Sequence, residues 1–308
     1  MSMQKSYDAE LFQPIGASTK RAEHLNREPL TYWQDAWLRF RQNKGALVGI
    51  VLLLVISALA IFGPMMNSYD WQTQDIPNSN LESAGDHYFG TDHFGRDLWQ
   101  RTWYGAKVSL QIAFLAAFLD IVIGVTLGGI SGYFGGRIDN IIQRFIEIIY
   151  TIPNLIIIIL MLIWLEPGIL PIALALAITG WVPMARIVRA QMMKLRSQEY
   201  VLAARTLGAS HKRIIIKHLI PNVIGPIIIA VTFAIPSAIF FEAFLSFIGL
   251  GIRPPEASLG VLVNEGYNYL QLFPHVLFWP ALVLSLIMLA FNLVGDGLRD
   301  ALDPRMKK

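Results

Sequence analysis

The chain has 308 residues, 54% of them hydrophobic and only 15% charged, and its mean hydropathy is +0.48. A soluble domain carries roughly a quarter charged residues, so a water-solvated fold is excluded for most of the chain and lipid is its main solvent. Cysteine is absent and the net charge is +3, which removes disulfides, thiolate metal sites and a cysteine nucleophile and makes the position of the basic residues more informative than their sum.

Residues 1 to about 29 are polar and mixed in charge, and no apolar core there leads to a small-residue cleavage site, so no signal peptide is expected. From Leu30 to Lys44 the pattern changes. Trp33, Ala36, Trp37 and Phe40 fall on one helical face while Arg39, Arg41 and Lys44 add positive charge, which predicts an amphipathic helix on the inner membrane surface. Residues 1–44 are therefore read as an N-terminal cytoplasmic segment.

Six apolar stretches approach the twenty or so residues that a hydrocarbon core of about 30 Å requires. They are Gly45–Met66, Val108–Tyr133, Ile141–Trp164, Ile169–Arg189, Val223–Leu250 and His275–Val294. The predicted division is a first span over 45–66, an outer loop over 67–107, a five-span core over 108–294 with an inner loop at 190–222, and a tail over 295–308. With the N-terminus inside, every Lys and Arg except Arg96, Arg101, Lys107 and Arg253 lies at the inner face. The basic balance is thus a topology signal, and nucleic acid is not an expected partner.

The acidic loop 67–107 contains Gly90-Thr91-Asp92, then Gly95-Arg96-Asp97. In span two Gly124, Gly128 and Gly132 recur every four residues, a spacing that lets helices approach closely in lipid. The chain contains no Gly-Lys dipeptide and hence no P-loop. Span three carries Arg144 and Glu147 one turn apart, where they can pair. Asp120 and Glu242 lie within spans two and five, where charge is costly unless it faces a partner helix or a wet cavity. A place on a substrate path and structural pairing are both open for these two.

Between spans four and five the chain turns polar. Tyr200, Ala203, Ala204 and Leu207 recur at i, i+3, i+4 and i+7, which predicts a short helix with an apolar face, and Gly208 supplies a residue able to turn left-handed. Ser210 is placed to cap a second short helix, which Pro221 should close. Glu199 stands at the first helix's N-terminus, where the helix dipole favours a carboxylate, and Arg205 faces the other way. Pro226 and Pro236 then interrupt span five, and Pro254-Pro255 and Ser258-Leu259-Gly260 follow it. No metal-ligand spacing, hydrolase elbow or other catalytic constellation is present in the sequence.

Glu199, Ala203, Ala204, Gly208, Ile220 and Pro221 stand at the spacing of the "EAA" loop, and in this the chain resembles the membrane subunits of bacterial ABC importers. Gly90-Thr91-Asp92 with Gly95-Arg96-Asp97, the Pro254-Pro255 loop and the tail from Gly295 to Arg305 are similar to signatures of the oligopeptide, dipeptide and nickel branch, on its "C" membrane subunit. Leu259 stands where that branch usually has an aromatic residue. The resemblance spans roughly Leu30 to Arg305. It implies an all-α membrane protein with the type I ABC importer permease fold, six transmembrane helices and cytoplasmic termini, in a bacterial inner or plasma membrane.

The resemblance further implies oligopeptide import through a heterodimer with a second, homologous permease, two cytoplasmic ATPase subunits that bind ATP and Mg, and an extracytoplasmic peptide-binding protein. This chain would be no enzyme and hold no cofactor or metal. ATPase coupling would fall to Glu199, Tyr200, Ala203, Ala204, Arg205, Leu207, Gly208, Ile220 and Pro221, and the translocation path to Asp120 and Glu242. Receptor docking would fall to Gly90, Thr91, Asp92, Gly95, Arg96, Asp97, Pro254 and Pro255. Dipeptides, glutathione and nickel are the alternative cargoes. An ion-coupled transporter working alone through Asp120, Glu147 and Glu242 is the alternative of another class, though the sequence shows no internal repeat with paired broken helices.

Overall fold

Backbone polar groups inside lipid must be satisfied within their own segment, so long apolar runs become helices. In the computed structural model, which describes residues 31–166 and 168–302, these runs form an all-helical bundle. Helix α1 (Tyr32–Gln42) precedes α2 (Lys44–Phe62), whose start is capped by the Asn43 side chain accepting from the Ala46 amide at 3.1 Å. Phe40 is buried against Ala46, Val294 and Ala301 and Ala36 is buried beside it in the helix, while Trp33 and Trp37 stay exposed. The amphipathic helix expected here is present, with its inner edge gripping the far end of the chain. The expected absence of a signal peptide, the start of the N-terminal segment over 1–30 and the end of the tail over 303–308 lie outside the described residues.

Helix α3 (Leu98–Phe134) has 37 residues, about 55 Å at the usual rise. It starts ten residues before the expected span, so the outer loop ends at Asp97 rather than at residue 107. Asp97 caps α3 by accepting from the Gln100 amide at 2.8 Å. The first turns, polar in sequence, are helical because Arg101 is buried against acidic partners across the bundle.

The third span is not one rod. Helices α4 (Gly136–Thr151) and α5 (Asn154–Trp164) meet at 83°. Pro153 lacks an amide hydrogen and crowds Ile152 out of the helical region, and Ile152 is extended. Helix α6 (Ile169–Leu195) follows. Five helical rods and this bent pair account for the six apolar stretches.

After the short helices α7 (Glu199–Thr206) and α8 (His211–Ile214), a π turn over Ile215–Leu219 leads into α9 (Ile220–Phe247). The run from His211 to Phe247 is one continuous rod, so Pro221 does not close the second helix as the sequence suggested. It sits in the first turn of α9, where the wider π turn before it absorbs the hydrogen bond that proline cannot donate. Helix α10 (Leu259–Tyr269) lies in the loop after span five, and α11 (Pro274–Leu302) carries the expected tail onward as helix to Leu302.

The closest packing joins α3 to α6. A Cβ on Gly128 would lie 2.4 Å from the Ala185 carbonyl oxygen, and one on Gly132 2.6 Å from that of Arg189. The four-residue glycine spacing therefore is the seam it was read as.

Candidate functional site

The polar unit between α6 and α9 is anchored from below and open above. Val201, Ile214 and Leu219 are fully buried with Met184, Val188, Met192, Val223 and Tyr133. At the joint Gly208 has φ +79°, and its amide donates to the Arg205 carbonyl at 3.0 Å while Ala209 donates to Ala204 at 3.0 Å. The Ser210 hydroxyl accepts from the Arg213 amide at 3.4 Å. Tyr133 at the end of α3 adds a 2.7 Å contact from its hydroxyl to His211 Nδ1, and its carbonyl accepts from Arg196 at 3.2 Å. The unit is thus fixed to α3, α6 and α9 at once.

Its other side is free in this chain. Glu199, Tyr200, Ala203, Arg205, Leu207, Gly208 and Pro221 are exposed, with Ala204 and Ile220 partly covered. Leu207 is 87% exposed, which is costly for a leucine without a partner. The apolar face read from the sequence therefore points away from the bundle, and the anchor is Val201, one position off that face. Sequence periodicity could not choose between them.

A cavity of about 1130 Å³ opens among α3, the α4–α5 bend, α6 and α9. The bend at Ile152-Pro153 forms one wall, and Pro183 and Pro226 line others. Asp120 belongs to this wall, only 8% exposed, with its carboxyl against Gly180 of α6. Glu242 does not line the cavity. It is fully buried, accepting from Ser109 at 2.8 Å and Ser246 at 2.9 Å, while Ser109 accepts from the Leu259 amide at 3.1 Å. These bonds tie α3, α9 and α10 together. Of the two carboxylates singled out in sequence, one faces open space and the other is a buried clamp.

Glu147 pairs with Arg144 at 2.9 Å on an exposed side of α4, as their spacing predicted. The loop motif behaves otherwise. Gly90, Thr91, Asp92, Gly95, Arg96 and Asp97 are all buried, so they present no exposed side chain at the surface of this chain. Asp92 holds Arg96 at 2.6 Å and Arg101 at 3.3 Å, and Glu265 of α10 holds the same two at 3.2 and 3.0 Å. At Gly95, φ is +73° and a Cβ would fall 1.8 Å from the Asp75 carbonyl oxygen. The motif reads as function in sequence because its charges look exposed; four charges balancing one another let it be buried. Pro254 and Pro255 remain exposed. His93 stacks on Tyr269 at 4.7 Å, and its burial lowers the imidazole pKa below the ordinary value.

Residues 124–308 match the family of binding-protein-dependent transport system inner membrane components. Residues 31–83 match the N-terminal transmembrane domain of oligopeptide transport permease C. The chain is 46% identical over 298 residues to the oligopeptide transport system permease protein OppC of Bacillus subtilis, covering 97% of this chain and 98% of that one. It is 47% identical over 291 residues to the dipeptide transport system permease protein DppC of the same organism, covering 94% and 91%. In fold it is similar to a chain from inward-facing structures of the MetNI methionine ABC transporter, with a TM-score of 0.52 and 19% identity over 64% of this chain and 94% of that one.

Proposed function

This chain belongs to the family of binding-protein-dependent transport system inner membrane components, as an ABC importer permease spanning the membrane several times, and from that premise we propose that its cargo is oligopeptides. The 46% identity to an oligopeptide permease over nearly the whole of both chains supports that cargo. The likeness to a dipeptide permease makes dipeptides the second reading.

The observation that carries the mechanism is the exposed apolar face of α7 on a unit rooted in α6 and α9, both of which wall the cavity. One of two ATPase subunits, which bind ATP and Mg, docks on that face. Glu199 accepts hydrogen bonds or pairs with a basic residue at the α7 N-terminus. Tyr200 and Leu207 fill a cleft, Ala203 and Ala204 keep the contact thin, and Arg205 meets an acidic partner. Gly208, Ile220 and Pro221 shape the turn that passes motion into α9. On this reading the α7 end, and the N-terminus, lie on the cytoplasmic side of a bacterial inner or plasma membrane, which the excess of Lys and Arg there supports.

A second, homologous permease completes the path opposite α3, α6 and α9, and a peptide-binding protein docks at the far end over the exposed Pro254 and Pro255. The test is reconstitution of the chain with its partner permease, ATPases and receptor in liposomes. ATP-dependent accumulation of a labelled oligopeptide is expected. Uptake by this chain alone on an ion gradient would overturn the reading, and preference for dipeptides would move the cargo assignment.

A further inference from the structure

The two buried carboxylates of the spans are satisfied in opposite ways. Both oxygens of Glu242 accept from serine hydroxyls of this chain. Asp120, less deeply shielded at 8% exposed, has an oxygen, Oδ1, that accepts no hydrogen bond among the described residues. Its carboxyl fills the space above Gly180, where a Cβ would lie 2.6 and 2.7 Å from its two oxygens. The hydroxyl of Thr179, next to Gly180, is engaged elsewhere and donates to Asn154. Arg299, the other charged residue of the cavity wall, is in none of the ion pairs formed among the described residues. A carboxylate removed from water with an unmet acceptor is costly, and because Asp120 belongs to the cavity wall, a donor entering the cavity is placed to meet it.

We propose that Asp120 is the ammonium-recognition point of the translocation cavity, holding a peptide's free N-terminal amino group during passage. The proposal deepens the permease reading and rests on it. An α-ammonium is the feature common to unmodified peptides of any sequence, and it carries donors suited to charge-assisted bonds with a carboxylate. The rest of the wall is dominated by apolar side chains such as Ala116, Leu176, Phe233 and Phe241, which hold cargo side chains without selecting among them. One strong contact on a weak background also lets the cargo leave, as conduction requires.

The natural absence of cysteine makes the test direct. Thr179→Cys, beside Gly180 in the same wall, is introduced into the assembled permease–ATPase complex without receptor, with the other subunits free of accessible cysteine. Its modification by a trimethylammonium methanethiosulfonate is compared with that by the sulfonate reagent. The cation is expected to react faster. Asp120→Asn should lower that preference by about tenfold, as loss of one nearby charge in a partly desolvated site implies, and Asp120→Glu should retain it. Tri-alanine should slow the cationic reagent with Asp120 present, and N-acetyl tri-alanine should not.

An unchanged preference in Asp120→Asn, equal protection by the acetylated peptide, or no modification by either reagent would each overturn the assignment. The first would show that the partner permease or a bound proton already neutralises Asp120. ATP-dependent peptide uptake by the parent complex is measured in parallel. Uptake that persists while the charge preference is absent sinks the role of Asp120 alone, whereas absent uptake sinks the permease reading beneath it.

Discussion

Gly208 sits at φ +79° with nothing within 4 Å of where a Cβ would stand, so a side chain there meets backbone strain and no steric clash. A β-branched residue in this region costs about 1–3 kcal/mol. Gly208→Val is expected to leave the spans inserted while ATPase co-purification and peptide uptake fall several-fold; normal values for both would remove the turn from the mechanism. His93 gives the outer loop a pH response of defined sign. Burial lowers its folded pKa below the ordinary 6.5, so the unfolded loop binds more protons and the stabilisation is present above that pH and lost as pH falls through it. Protection of the loop from proteolysis should weaken below about pH 6.5, and His93→Phe should flatten that response. A response that persists in His93→Phe would assign it to another group. Single residues were also where the sequence misled, since Asp92, Arg96 and Asp97 have the chemistry of a surface motif and are buried.

At the scale of elements, the α3–α6 seam separates two adjacent glycines. Gly128 lies under the Ala185 carbonyl, whereas a Cβ on Gly129 would find its nearest neighbour, the Met192 methyl, at 3.8 Å. Gly128→Leu should abolish recovery of folded protein by size-exclusion chromatography, while Gly129→Ala should cost little. Equal recovery would mean that the seam can open. Element existence was legible from apolar runs, and the seam from glycine spacing. Element ends were not. The first turns of α3 look like loop until Glu265, far along the chain, neutralises Arg101, and the rod from His211 to Phe247 runs through Pro221 because a π turn relieves it. The break at Pro153 was written in the sequence, but its 83° depends on what α4 packs against.

For the whole molecule, the exposed Leu207 belongs to a unit that is packed on α6 and α9, the helices that wall the cavity. Leu207→Asp should not unfold the chain, because 87% of the leucine is already exposed, yet it should release the ATPases and lower uptake by an order of magnitude or more, read by co-purification and liposome assay. Retained ATPases would move docking to another face of the unit. By itself the sequence determined the membrane class, the helical content and the polar unit between spans four and five. A long apolar run has one way to satisfy its backbone in lipid, and it does so whatever its neighbours are. Only the tertiary structure decided that Asp120 faces a cavity while Glu242 is sealed among serines, and that α7 turns Leu207 outward and Val201 in. A helix's rotation about its axis is set by helices distant in the chain, and no local periodicity records it.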